Sequence, residues 1–490
     1  MSHLFALLAD VFPIKINRIL KRQKIILYNP KAVFYTMPLA LLAVASNLDP
    51  QKYDVQIIDG RIEKEPLKRV LSAAEGALCL GITALTGNPI RDALRVSRAV
   101  KARRPDLPIV WGGWHPSLFP TQTLADEPGV DVTVQGQGEV AFREIVECLS
   151  EGESLQNVLG IAFRENGEII QNPPRPLTDV NRLPEVNYSI AEVEKYFQLK
   201  NRRQFDYITS AGCFFRCAFC ADPFVYNRKW TALSPERIGG EIERHHRRYQ
   251  FSDLDFQDET FFTHRKRVAA IAEEFLQRGI NITWAGTMRA DQGSRMDDAE
   301  FALCAESGLR RVLIGVESGS QKMMDWMRKD IKIEQVFECA EKCLRHKIAA
   351  IFPFIVGFPG ESDASVAATL DTARRLRSMH PEFDTPIFYF KPYPGSQITR
   401  EVVKNGYRLP KTIAEWADFD YIGSSGPWVS GEKFRLIERF KFYNRIAGGK
   451  NHWYERPLRR LAKWRCDHGF YHLPLEKTVV EKLKPLPRLS

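Results

Sequence analysis

Three cysteines crowd into eight positions, Cys213, Cys217 and Cys220, within the run Cys-Phe-Phe-Arg-Cys-Ala-Phe-Cys. The other six cysteines are scattered, and nine in 490 residues make no disulfide framework. A C-x3-C-x2-C cluster therefore points to metal. Three thiolates hold three irons of a [4Fe–4S] cluster and leave the fourth iron open to a substrate or cofactor. Phe214, Phe215 and Phe219 would screen such a cluster from water. The competing reading is a zinc knuckle, which needs a fourth, distant ligand and favours regular C-x2-C pairs.

A reactive cluster needs a scaffold, and the flanking sequence reads as one. Short apolar runs at 205–209, 253–257, 282–287, 311–316, 351–356 and 386–390 alternate with helical patterns such as 235–249, 265–277 and 333–345. Six βα units predict a partial barrel with its chemistry on the carboxyl rim, where the cysteines follow the first strand. An earlier block repeats the alternation. Strands are expected at 25–28, 53–58, 77–82, 109–111 and 130–134, with helices at 38–48, 90–103 and 139–149. That pattern predicts a doubly wound parallel sheet, whose ligands sit at the carboxyl ends of its strands. A hairpin around Asn166-Gly167 and the prolines 173, 174, 176 and 184 mark a connector. The chain divides into a basic amphipathic segment (1–23), a first α/β domain (24–150), a linker (151–200), the barrel (201–395), a helical extension (396–448) and a basic aromatic tail (449–490).

The rim motifs resemble those of the radical SAM superfamily over about 205–395. The cysteine spacing with Phe219 is that family's signature. Gln257-Asp258-Glu259 ends the second strand, Arg289 the third, Glu317-Ser318 the fourth, and Gly357-Phe358-Pro359-Gly360 the fifth. The resemblance implies that Phe219, Asp258, Glu259, Arg289, Glu317, Ser318, Gly357 and Gly360 contact S-adenosylmethionine on a [4Fe–4S] cluster held by the three cysteines. It implies reductive cleavage to methionine and a 5′-deoxyadenosyl radical, with a one-electron donor such as flavodoxin or ferredoxin.

The first α/β block is similar to the cobalamin-binding domain. Thr83-Ala84-Leu85 and Gly112-Gly113 match the elements that line its nucleotide-tail pocket, with Thr in place of Ser. The resemblance implies cobalamin contacts from Thr83, Leu85, Thr86, Gly112, Gly113, Trp114, Gly136, Gly138 and Glu139. Domains with a cobalt-ligating histidine carry D-x-H-x-x-G after the second strand. This chain has Asp59-Gly60-Arg61-Ile62-Glu63-Lys64 there, so cobalamin is expected without a histidine ligand from this loop. His115 is expected to pack or touch the tail.

Composition bounds the rest. Hydrophobic residues at 44% exclude a mostly disordered chain. The formal charge of +10 divides as +4 in 1–24 and +6 in 449–490, and the middle balances at 55 basic and 55 acidic residues. A uniformly basic, nucleic-acid-coating protein is excluded. The termini carry Leu4, Phe5, Leu8, Trp453, Leu458, Leu461, Trp464, Phe470 and Tyr471 beside their basic residues. This fits interfacial segments on an anionic membrane face, or solvated helices on the body. No leader or membrane-spanning run is read, so a cytoplasmic protein, peripheral on that membrane face, is expected.

Together these readings predict a cobalamin-dependent radical SAM methyltransferase acting on an unactivated carbon of a hydrophobic substrate, such as a lipid or isoprenoid. Lys391, Tyr393 and the 415–428 segment are the substrate-facing candidates. Three other outcomes remain open: a radical cyclase or C–C or C–S coupling enzyme of the anaerobic porphyrin-ring type, an RNA-modifying radical enzyme, and a non-catalytic cluster- or cobalamin-binding sensor. No RNA-binding signature supports the second, and the third would not need the run of S-adenosylmethionine motifs after strands two to five.

Overall fold

The computed structural model describes residues 22–33, 35–419, 425–448 and 456–483. The basic segment read at 1–23 lies outside the described residues except for its last two, as do Trp453 and positions 420–424.

The first sheet comprises β1 (Gln23–Asn29), β2 (Tyr53–Asp59), β3 (Ala77–Thr83), β4 (Ile109–Gly112), β5 (Val132–Val134), β6 (Ile161–Glu165) and β7 (Glu168–Gln171), in the order β2-β1-β3-β4-β5-β6-β7. The first five strands pair in parallel. Ile25, Ile26, Leu27 and Tyr28 are all buried, as a strand covered on both faces requires. The helix Asn88–Arg103 buries Ile90, Ala93, Leu94, Val96 and Val100 on one side, begins with proline in its first turn and ends with Lys101 and Arg103. Each feature suits its place on the helix. Strand order reverses between β1 and β3, the position where doubly wound sheets open a ligand crevice.

The hairpin expected within the linker is instead part of this sheet. β6 pairs antiparallel with β5, and β7 with β6. β5 would otherwise leave an open edge, and Ile161, Ala162 and Phe163 bury on covering it. The first domain thus extends past residue 150.

The second sheet holds β8 (Gln204–Tyr207), β11 (Asp253–Phe256), β12 (Thr283–Arg289), β13 (Leu309–Gly315), β14 (Ala349–Ile351) and β16 (Phe383–Asp384), all parallel, in the order β16-β14-β13-β12-β11-β8. The short strands β9 (Ser210–Gly212) and β10 (Trp230–Ala232) form a hairpin beside it. The strand expected over 351–356 splits in two. Pro353 has no N–H for the ladder, and β15 (Phe354–Val356) leaves β14 to pair with β17 (Ile387–Tyr389). The barrel core is aromatic: Phe256 stacks on Phe261 at 4.1 Å between centroids, and Trp284 is fully buried.

The remaining linker ties the two domains together. From the helix Val193–Leu199, Tyr196 donates to Asp59 at the end of β2, and the following Lys200 pairs with Asp206 on β8. The helix Ile413–Ala417 packs back on the first domain. Its Trp416 is buried against His115 and Phe119, so this part of the expected substrate-facing segment is core instead. In the carboxyl-terminal helix Arg456–Asp467 and the turn after it, Ala462 and Tyr471 also bury, whereas Trp464 and Phe470 remain exposed. No helix among the described residues is long and apolar enough to cross a membrane.

Candidate active site at the domain junction

The cysteine loop leaves the barrel through β9 and returns through β10, which pins its two ends. Gly212 sits at that base with φ +83°, and a Cβ there would lie 2.3 Å from the Lys229 carbonyl oxygen. Only glycine closes this base, and its place directly before Cys213 was the available signal. Cys213, Cys217 and Cys220 are half-buried. Their sulfurs do not all approach within 4.8 Å of one another; among the described residues, the trio that does is Glu185, Glu241 and His245.

That trio is itself no cation site. Glu241 accepts from Tyr207 and pairs with Arg237, and Glu185 pairs with Arg244.

Cationic groups stand on the inner side of the loop. Arg289 places Nη1 3.5 Å from Cys217 Sγ, lies 3.8 Å from the Phe215 ring centroid and donates from Nε to Asp291 at 2.9 Å. Lys329 is buried, pairs with Glu317 at 2.8 Å and lies 5.8 Å from the Phe219 ring. Burial pushes the Cys213 thiol up to about 11 and raises Cys220 as well. Their deprotonation therefore needs bound metal to drive it. The expected screen of three phenylalanines is incomplete: Phe214 is 40% exposed and faces outward.

The structure divides the residues expected around S-adenosylmethionine. Asp258 is buried and fully engaged, accepting from the Thr209 amide at 3.1 Å, from Thr209 Oγ1 at 2.7 Å and from Ser210 Oγ. It braces the approach to the cysteine loop through both hydroxyls on its Oδ1. Asp258→Ala is expected to lower stability by about 3 kcal/mol, because it strands those donors in the interior. Thermal unfolding of the metal-free chain measures this. Its neighbour Glu259 is the free group. Glu259 lines the cavity at the domain junction, and its Oε2 is buried without a partner. Burial, then nearby Asp222, pushes it up to about 8. A cationic group placed against it would return it to the carboxylate form.

Ser318 is fully buried and bonded to Thr369 Oγ1 at 3.1 Å, so it shapes the loop from within. Glu317 holds φ +69° in its pair with Lys329. Gly357 and Phe358 donate their amides to Glu361 Oε2, and Trp428 closes over the Gly357 carbonyl. Gly360, at φ +73°, has open space where a Cβ would point. Lys391 and Tyr393 do not line the junction cavity. Lys391 faces a separate shallow hollow with Tyr407, Arg408 and Lys411, and Tyr393 lies 6.2 Å from Phe419.

The cavity itself measures about 550 Å³. From the first sheet it takes Thr83, Leu85, Gly112, Gly113, Trp114, Gly136, Gly138 and Glu139, and from the barrel Tyr207 through Ala211, Tyr226, Gln257 and Glu259. Small residues open the first wall. A Cβ at Gly112 would meet nothing closer than 3.9 Å, and at Gly136 nothing within 4 Å. Gly113 is different: with φ +96° its Cβ would press on Thr83 Oγ1 at 2.8 Å. A broad, flat ligand is accommodated by such a wall. Gln137, also in the lining, keeps a buried Nε2 without a partner.

Thr86 is corrected. It is buried behind this wall, with Oγ1 3.2 Å from His115 Nδ1. His115 is buried too, lies outside the cavity lining and is pushed down to about 3 by burial. Arg61 lines the cavity from the loop that lacks a histidine, held by Asp59. Asn29, Pro30, Leu39 and Val44 also line it. Sequence reading missed these four, although their place after the first strand of a doubly wound sheet marks the crevice.

Residues 207–373 match the radical SAM superfamily, and residues 26–146 match the B12 binding domain. An uncharacterized methyltransferase of Pyrococcus horikoshii is 28% identical over 422 residues, covering 85% of this chain and 90% of that protein. The anaerobic magnesium-protoporphyrin IX monomethyl ester cyclase of Synechocystis is 26% identical; the match covers 66% of this chain and 64% of the cyclase, just under two thirds of its length. Among solved structures, the radical S-adenosylmethionine methyltransferase TsrM of Kitasatospora setae, with tryptophan and a SAM analogue bound, shares the fold. It superposes with a TM-score of 0.70 at 17% identity, covering 85% of this chain and 88% of that one.

Proposed function

Because the chain belongs to the radical SAM superfamily and carries a B12-binding domain ahead of the radical SAM domain, we propose that it methylates an unactivated carbon of a hydrophobic small molecule. The observation that carries this is the junction cavity, whose opposite walls come from the two domains. When bound, the [4Fe–4S] cluster with S-adenosylmethionine supplies a hydrogen-abstracting 5′-deoxyadenosyl radical, and cobalamin supplies the methyl group.

The chain's own residues bind, orient and exclude water. Cys213, Cys217 and Cys220 are the cluster ligands, with Arg289 and Lys329 set to offset its negative charge. Glu259, at the rim with its Oε2 buried and unpartnered, receives the amino group of S-adenosylmethionine. The glycine-lined wall receives the corrin, and Arg61 faces it where other domains place histidine. Leu27, Leu39, Leu41, Ala43 and Val44 give the cavity an apolar side, which supports a hydrophobic substrate. Anaerobic reconstitution followed by reduction tests the reading. Formation of 5′-deoxyadenosine with a product heavier by one methyl group is expected. A product of unchanged carbon count favours cyclisation or coupling, and absence of 5′-deoxyadenosine refutes the radical reading.

We also read the carboxyl-terminal surface as a peripheral membrane contact. Arg465, itself buried, donates to the carbonyls of Phe470, His472 and Leu473. The clamped turn displays Leu473, 73% exposed, beside Phe470 and Trp464 and next to exposed Arg459, Arg460 and Lys463. Apolar side chains in a basic rim suit an anionic leaflet, at about 1 kcal/mol per basic residue near the surface. Co-sedimentation with phosphatidylserine vesicles is expected to fall with added salt and on replacing Leu473 and Leu475 with serine. An unchanged pellet rejects this surface.

A further inference from the structure

The junction cavity reaches past the two cofactor walls into a lobe between the linker and the barrel. Resting on the methylation reading above, we propose that this lobe holds a hydrocarbon chain of the substrate. The substrate is then an amphiphile, with its reacting end between the cofactor walls and its chain drawn aside.

The lobe lies beside β8, the last strand of the barrel sheet. Tyr207 on that strand faces the helix Pro235–Tyr249, because its hydroxyl donates to Glu241 at 2.5 Å. Tyr207, Glu241 and Arg237 all line the cavity. This end of the cavity is therefore on the helix side of the sheet, whereas the cysteine loop leaves from the strand's carboxyl end. The linker supplies the facing wall through Val180, Leu183, Pro184 and Val186, joined by Leu39 and Leu233. Leu39, Val180 and Val186 pack against the barrel core and yet stay half-buried.

That wall is fixed. The Val180 amide donates to Thr231 Oγ1 of the barrel hairpin at 3.3 Å, and the Asn187 amide to Ser46 Oγ of the first domain at 2.8 Å. The charges of the lobe are spent on one another and on the linker. Arg237 gives Nε to Glu241 at 2.6 Å and Nη1 to the carbonyls of Val180 and Asn181 at 3.2 and 3.0 Å. What the lobe offers a ligand is aliphatic surface. The amide-bearing rim of a corrin would lose hydrogen bonds there, and a hydrocarbon chain has none to lose. Packed interiors leave few spaces wider than a water molecule, and a dry aliphatic one takes an apolar guest.

The test uses the full chain saturated with hydroxocobalamin, so that the corrin wall is filled. The alcohols 1-octanol, 1-decanol and 1-dodecanol compete with the uncharged dye Nile red. Displacement is expected to tighten about fourfold per added methylene, as chain burial requires. Leu183→Glu is expected to weaken dodecanol about tenfold or more and to leave hydroxocobalamin affinity and Tm unchanged. Leu183→Trp, which fills the lobe without adding charge, is expected to do the same and carries the test if the glutamate variant does not fold. No displacement, or no dependence on chain length, overturns the proposal. Equal dodecanol affinity in a folded variant places the chain elsewhere and overturns it too. Displacement in the cobalamin-free chain alone assigns the lobe to cobalamin, with the same consequence. The methylation reading is judged separately, by 5′-deoxyadenosine and a methylated product on reduction.

Discussion

Cys217→Ala is expected to bring bound iron in the reconstituted protein from about four per chain to near zero, and 5′-deoxyadenosine formation to background. The effect is large because a site-differentiated cluster has three protein ligands and no spare. Cys217 is also the ligand nearest Arg289, whose Nη1 lies 3.5 Å from its sulfur. The metal-free variant should nevertheless fold. The side chain is half-buried, so truncation opens no core cavity. Iron content, the visible spectrum and thermal unfolding of the metal-free form together separate loss of the cluster from loss of the fold. A variant that keeps iron and activity would remove the cysteine cluster from the mechanism.

Gly112→Leu is expected to weaken cobalamin binding about a hundredfold, roughly 3 kcal/mol, with little change in the stability of the cobalamin-free chain. The asymmetry comes from where the new atoms go. The nearest protein atom to a Cβ at Gly112 is the Val134 Cβ at 3.9 Å, an ordinary contact, so the side chain grows into the cavity. Gly113 is the control. Its φ of +96° and the 2.8 Å approach to Thr83 Oγ1 make any side chain there damage the loop itself. Absorbance titration with hydroxocobalamin and thermal unfolding of both variants measure the contrast. Equal cobalamin affinity for Gly112→Leu and the unaltered protein would move the corrin off this wall.

Most of the parallel architecture was legible in sequence, because buried strands between amphipathic helices leave apolar runs of characteristic length. Where the sequence misled, a neighbour distant along the chain intervened. The hairpin at 161–171 read as a linker because nothing local says that β5 needs an edge partner. The strand at 351–356 read as continuous because its apolar run passes through Pro353, and only the pairing of β15 with β17 shows the break.

For the site, the sequence by itself pointed to the candidate ligands and the kind of chemistry, because three cysteines at such short spacing are kept close by the chain itself. Tertiary structure decided which neighbouring polar groups remain free to act. Asp258 and Glu259 are adjacent and chemically alike, yet one is bonded to Thr209 and Ser210 away from the cavity while the other lines it with Oε2 unpartnered. Thr86 and His115 satisfy each other behind the wall. Lys391, two residues past β17, lines another hollow. Availability depends on which hydrogen-bond partners folding brings within about 3 Å, and those partners come from segments that local sequence does not connect.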